Sequence, residues 1–215
     1  MPKKLEISAA DFLPERRTVA SLRQAARGCR GCDLWMRGTQ TVFGEGKSGA
    51  EVIMVGEQPG NDEDLQGRPF VGPAGKILDK ALRAAGIDRE DVYVTNAVKH
   101  FKWEPRGKRR IHKKPTGIQI AACRPWLDEE IKAVRPKVIV CLGATAAQAL
   151  LGRNFKVTQD RGKVISTGAI PIIATVHPSS ILRAPDDDSR HAEMARLIDD
   201  LRVVASHVRG LGKAA

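Results

Sequence analysis

Four short stretches concentrate side chains that can do chemistry. Residues 107–115, GKRRIHKKP, hold five Lys or Arg and one histidine in nine positions, with no acid. CRGC sets Cys29 and Cys32 at the bite of a metal-binding turn. GEQPG (56–60) places Glu57 and Gln58 in a loop bounded by glycines, and VHPSS (176–180) places His177 ahead of two serines. Phosphate binding accounts for Lys108, Arg109, Lys113 and Lys114. It does not account for His112, because an imidazole is only partly charged at neutral pH and anchors phosphate poorly.

The rest of the chain narrows the partner. The net charge of +11 on 215 residues favours a polyanion, nucleic acid first and a membrane surface second. The excess is local: residues 99–114 carry eight Lys or Arg against one acid, Glu104. No apolar run approaches the roughly 20 residues of a membrane helix. The opening MPKKLEISAADFLPERR lacks an apolar signal core, so a cytoplasmic location without membrane attachment is expected. Four cysteines are too few for a disulfide scaffold, which leaves metal or redox chemistry for the CxxC pair. Cys141, inside VIVCLG, reads as a small buried hydrophobe. Cys29, Cys32 and Cys123 then ask for a fourth ligand, and His100 in AVKHF is a candidate. Spacing leaves zinc, an iron–sulfur cluster and a metal-free CxxC all open.

These residues need a scaffold, and the hydrophobic pattern supplies one. Continuous Val/Ile-rich runs at 51–56, 91–98, 137–143 and 170–178 read as buried parallel strands. Segments 73–86, 117–134, 143–152 and 188–208 read as helices, with Gly86 and Gly152 at C-terminal stops. RGKVIST (161–167) reads as an extra strand or hairpin arm, and Cys123 as lying at a helix start. GEGKSG (44–49) fails the phosphate-loop frame, since position 41 is Thr41, and reads as a turn. Strand–helix alternation throughout predicts one α/β domain over 1–215, a three-layer α/β/α sandwich on a mainly parallel four-stranded sheet. In such sheets ligands bind at the carboxyl ends of the strands, where GEQPG, Asn96 and HPSS all fall.

Several separated motifs, in order from about Cys29 to Arg183, resemble the iron–sulfur uracil-DNA glycosylases: GEQPGNDEDLQGRPFVGPAGKILDKAL, VYVTNAVK, AAC and HPSSILR. Three departures from the ordinary members stand out. Gln58 replaces a common glycine, His100 replaces a ligand cysteine, and the KRRIH insertion (101–116) is additional. Together they resemble the UdgX-type branch, whose members become covalently attached to uracil-containing DNA through the histidine of that insertion.

The resemblance implies a 4Fe-4S cluster on Cys29, Cys32, His100 and Cys123, all within 29–123. It implies a uracil site built from Gly56, Gln58, Phe70, Asn96 and His177. Phe70 would stack on a flipped base, and the Asn96 amide would read its carbonyl and N–H edge. His177 would stabilise charge on the departing base. Glu57 would stabilise the cationic sugar, activate water, or orient and deprotonate an imidazole. Ser179, Ser180 and Arg183 suit phosphate contacts and a wedge, and Lys108, Arg109 and Arg110 suit DNA contact or loop support. His112 would attack C1′ of the deoxyribose and stay attached. The partner is then uracil-containing DNA, single-stranded and also double-stranded, met by a monomer. Two other readings account for part of the pattern: a glycosylase that turns over normally, and a non-catalytic iron–sulfur DNA-binding or redox-sensing protein.

Overall fold

The computed structural model describes residues 7–166 and 168–212. The first six residues of the charged opening, Thr167 at the end of the 161–167 segment, and the last three residues lie outside the described residues.

Five strands form one sheet: β1 (Val52–Gly56), β2 (Val92–Asn96), β5 (Val138–Leu142), β6 (Val164–Ile165) and β7 (Ile172–Thr175). Their spatial order is β2-β1-β5-β7-β6. The first four are mutually parallel, with Gly56 opposite Asn96 and Leu142 opposite Thr175. The four parallel strands are therefore the expected ones. The fifth, β6, is a two-residue antiparallel edge strand lying in the 161–167 segment, so the sheet is five-stranded.

Alternation along each strand sends side chains to opposite layers. Val52, Met54, Val138 and Val140 pack with Leu78 and Leu82 of α3 (Pro73–Ala85) and Leu197 and Leu201 of α8 (Asp187–Gly212). Ile53, Val55, Ile139 and Cys141 face the other way, toward Leu127 and Val134 of α4 (Gly117–Val134) and Ala146 and Ala147 of α5 (Ala144–Leu151). Cys141 is fully buried in that second layer. The continuous apolar reading of the strands thus reflects burial on both faces.

A third apolar cluster lies under the N-terminal arm. It joins Ala9, Leu22 and Ala26 of α1 (Val19–Ala26), Cys29, Leu34, Phe43, Val98, Cys123 and Trp126. Cys123 is the seventh residue of α4, where a helix start was expected. The helix itself has the expected bounds, 117–134, and Thr116 caps it by accepting from the Gln119 N–H while Gln119 accepts from the Thr116 N–H.

The basic insertion is not an open loop. Trp103–Arg106 (β3) and Arg109–His112 (β4) pair antiparallel across Gly107, whose φ of 58° supplies the left-handed turn residue. Trp103 lies directly opposite His112. Among the described residues no helix is long and apolar enough to cross a membrane.

Candidate active site

The strand order reverses direction between β1 and β5, and the crevice outside that reversal is where an open α/β sheet binds ligands. A cleft of about 670 Å³ opens there. Glu57, Gln58, Phe70, Asn96, His112, His177, Ser179 and Arg183 all line it. Thr145, at the start of α5, donates its hydroxyl to Glu57 Oε2 and so spans the two sides of the reversal. Nothing in the sequence motifs pointed to Thr145.

Phe70 sits in left-handed backbone at φ 57°, a strained conformation for an aromatic residue. Two glycines make room for it. A Cβ on Gly75 would lie 1.7 Å from the Phe70 carbonyl oxygen, and one on Gly56 would lie 2.3 Å from Asn96 Oδ1 and 2.9 Å from Phe70 Cζ. The Asn96 amide and the Phe70 ring therefore close over Gly56 so tightly that only a hydrogen fits there. Phe70 also stacks with His177, ring centres 6.1 Å apart at 27°.

Glu63, in α2 (Asn61–Gln66), ties the two flanking loops together. Its Oε2 accepts from the Gly60 N–H at 3.0 Å and its Oε1 from the Gly72 N–H at 2.9 Å. Glu63→Gln turns one acceptor into a donor facing a backbone N–H. It is expected to cost about 1.5–3 kcal/mol, the worth of a charge-assisted bond, read as a lower denaturant midpoint.

His177 caps α7 (Pro178–Leu182). Its Nδ1 accepts from the Ser179 N–H at 3.1 Å, and a backbone N–H can only donate. The neutral ring therefore carries its proton on Nε2. Burial, and secondarily the Arg183 charge, push its pKa down to about 4. Arg183 donates to Ser179 Oγ at 3.0 Å. The Ser180 hydroxyl is spent on the His177 carbonyl, so Ser180 serves the turn, and Leu182 is the exposed apolar side chain beside it.

The hairpin brings His112 in from the other side. His112 Nε2 lies 3.7 Å from Glu57 Oε1, and its side chain is half exposed. Gln58, itself buried, holds the hairpin: its Oε1 accepts from the Lys102 N–H at 3.2 Å, and its amide nitrogen faces Lys102 O, Lys113 O and His112 Nε2 at 3.2, 3.1 and 2.9 Å. Because the Lys102 bond fixes the amide's orientation, His112 Nε2 is an acceptor and the ring proton rests on Nδ1. Partial burial lowers the His112 pKa, opposed by Glu57 and reinforced by Arg183.

Arg110 tethers the strand that carries His112. It bonds Asn61 Oδ1 at 2.9 Å, Asp64 Oδ2 at 2.6 Å and Thr39 Oγ1 at 3.2 Å, and lies over the rings of Phe101 and Trp103. Asp64 is fully buried and also accepts from the Thr39 N–H. Lys108 and Arg109 stand exposed at the hairpin tip, outside the cleft.

Cys29, Cys123 and His100 are buried, and Cys32 is partly so. Cys29 Sγ accepts from Trp126 Nε1–H at 3.2 Å, and Cys123 Sγ from the Lys99 N–H at 3.3 Å. Thr41 spends its one hydroxyl proton on Ala26 O, so it accepts from His100 Nε2, leaving the lone pair on Nδ1. Burial holds His100 neutral, with a pKa near 4. Among the described residues no three such side chains converge tightly enough to hold a single metal ion.

Comparison with known proteins agrees with this geometry. Residues 43–202 match the family model of the uracil DNA glycosylase superfamily. The chain is 38% identical over 192 residues to the type-4 uracil-DNA glycosylase of Thermotoga maritima, covering 88% of this chain and 94% of that protein. It is 40% identical over 165 residues to the type-4 enzyme of Archaeoglobus fulgidus, covering 73% and 79%. A type-5 uracil-DNA glycosylase of Pyrobaculum aerophilum is 31% identical over 180 residues, covering 76% of each chain. The matched span takes in the whole sheet and every cleft residue named above, so the chain belongs to the uracil DNA glycosylase superfamily.

Proposed function

We propose that this protein excises uracil from DNA and remains bonded through His112 to C1′ of the resulting abasic sugar, as a UdgX-type glycosylase acting once. The observation that carries the reading is the placement of His112 Nε2, at 3.7 Å from Glu57 Oε1, on the mouth of a cleft that also holds Asn96, Phe70 and His177. A phosphate clamp has no use for an imidazole that Gln58 holds beside a carboxylate.

Flipped uracil would enter the cleft, with Phe70 as stacking face and the Asn96 amide at the base edge. His177 offers an Nε2–H donor to a uracil carbonyl as negative charge builds there. Neutrality suits it, since a donor that has not lost a proton to a neighbour needs no reorganisation. Glu57 faces the nitrogen of His112 that carries no proton, which supports stabilisation of the cationic sugar over proton abstraction. The Gln58 amide has two hydrogens and three acceptors, two of them carbonyls. Its bond to His112 is expendable, and breaking it frees the Nε2 lone pair.

The step balances. The Nε2 pair forms the bond to C1′, and the N1–C1′ bond breaks with its electron pair going to uracil. The departing uracil anion takes a proton from solvent. The imidazolium loses its Nδ1 proton to solvent, leaving a neutral N-glycosyl imidazole, which is a poor leaving group that water does not displace. The hairpin, and with it His112, depends on Arg110. Arg110→Ala is expected to slow capture by about 10–100-fold, the scale of a misplacement near 1 Å, while uracil release persists.

The donor set under the N-terminal arm fits a 4Fe-4S cluster held by Cys29, Cys32, Cys123 and His100. Two thiol sulfurs already accept N–H donors, and the histidine is neutral with its second nitrogen occupied, as a ligand's should be. When bound, such a cluster supplies a structural tie and the capacity to exchange an electron. The chain's own contribution is to clamp the arm to α4 and to the start of the hairpin.

A test by gel is direct: a single-stranded oligonucleotide carrying one uracil should yield a slow, heat- and detergent-resistant band that a thymine control does not. An abasic strand with no such band would make this a glycosylase that turns over normally. The pH dependence follows from the His112 shift. Since its pKa lies below 6.5, the attacking form persists through neutral pH and is lost only below that value. Capture should therefore be flat above pH 6.5 and fall on the acid side with a midpoint beneath it, measured as single-turnover rates.

A further inference from the structure

Behind the cleft lies a fully buried ion pair that the proposed chemistry does not use. Lys99 and Glu130 are both entirely inaccessible to solvent. The three Lys99 ammonium hydrogens have three acceptors: Thr95 Oγ1 at 2.6 Å, Asn96 O at 2.7 Å and a Glu130 oxygen. Glu130 also accepts from Gly44 N–H, Tyr93 O–H and Thr95 O–H, at 3.0, 2.9 and 2.9 Å. Every polar atom is satisfied, so the arrangement is highly directional.

An apolar pair of similar volume would serve stability at least as well, because burying two charges is costly. The direction of the bonds is what the charges add. Lys99 lies three residues after Asn96, where a tight turn is ordinarily closed by the backbone N–H. Here that N–H goes to Cys123 Sγ, and the ammonium grips the Asn96 carbonyl in its place. One residue thus contacts both a candidate cluster ligand and the backbone of the candidate base reader.

We infer that Lys99, held in place by Glu130 and Thr95, is a positioning residue that sets the Asn96 amide against the uracil edge. The inference rests on the reading of Asn96 as that edge's partner. The test uses the complete protein in four forms: parent, Asn96→Ala, the charge-free pair Lys99→Met with Glu130→Gln, and all three changes together. Removing both charges avoids stranding one of them. Asn96→Ala keeps the carbonyl that Lys99 grips, so it removes only the side chain through which the effect is said to pass.

Reaction rates at uracil in single-stranded DNA, per folded molecule, should fall roughly tenfold for the charge-free pair in the parent and less than about twofold in the Asn96→Ala background. Equal losses in both backgrounds, or no loss in either, would assign the pair to the fold alone and overturn the inference. The Asn96 side-chain amide signal in a 15N correlation spectrum gives an independent readout. It should shift or broaden in the charge-free pair, and an unmoved signal overturns the inference even if the parent leaves uracil DNA untouched, an outcome that would sink the glycosylase reading instead.

Discussion

His112→Ala should abolish covalent capture of uracil-containing DNA and leave uracil release intact or faster. The loss is expected to be complete, because among the described residues no second nucleophile with a free lone pair stands near Glu57. Gln58 is an amide, and the Thr145 hydroxyl is tied to the carboxylate. The vacated volume opens beside Glu57, at the half-exposed mouth of the cleft, where water can enter. Water would then meet the cationic sugar in place of imidazole, and the enzyme would turn over. A denaturing gel reports the first half, and release of labelled uracil from excess DNA the second. The variant should fold normally, since His112 is on the hairpin's rim and its neighbours Arg110 and Gln58 keep their own bonds.

His177→Ala should behave in the opposite manner, slowing capture and release together by about 10²–10³-fold, the cost of one donor to developing negative charge. The tautomer argument makes this specific. Nδ1 is committed to the Ser179 N–H, so the only donor the ring can present to the cleft is Nε2–H. His177→Gln, which has an amide donor, should recover part of the loss. Single-turnover rates of glycosidic cleavage check both variants, and cleavage at the parent rate in His177→Ala would remove this residue from the chemistry. With its pKa near 4, His177 stays neutral through pH 6.5, and the acid limb below that value is assigned to His112, whose pKa is lowered by partial burial. That limb should be absent from uracil release by His112→Ala.

The contrast between these variants shows what a sequence can and cannot carry. The four parallel strands were readable because both of their faces are buried, so residues such as Ile53, Met54, Val138 and Val140 run without polar interruption. Glu57, Asn96 and His177 were readable because strand ends in a parallel sheet point at one crevice. The hairpin was not. Trp103–Arg106 and Arg109–His112 are short, charged and mostly exposed, with no apolar alternation to mark them. Its rigidity comes from Gln58, Asp64 and Thr39, which lie 40 or more residues away in the chain. Glu63, Thr145, Lys99 and Glu130 were missed for the same reason. A buried acid or lysine is recognisable only by its partners, and those partners meet only after folding. Helix 117–134 was readable to its bounds, and Cys123 lies two turns inside it and not at its start.

The central claim is that His112 becomes bonded to the sugar. The most direct measurement is mass spectrometry of the protein after reaction with a single-stranded oligonucleotide bearing one uracil, under denaturing conditions, followed by peptide mapping. The expected species has the mass of protein plus DNA minus uracil, with the sugar remnant on the peptide containing His112. Unmodified protein beside an abasic strand and free uracil, or a remnant carried by any other residue, would contradict it.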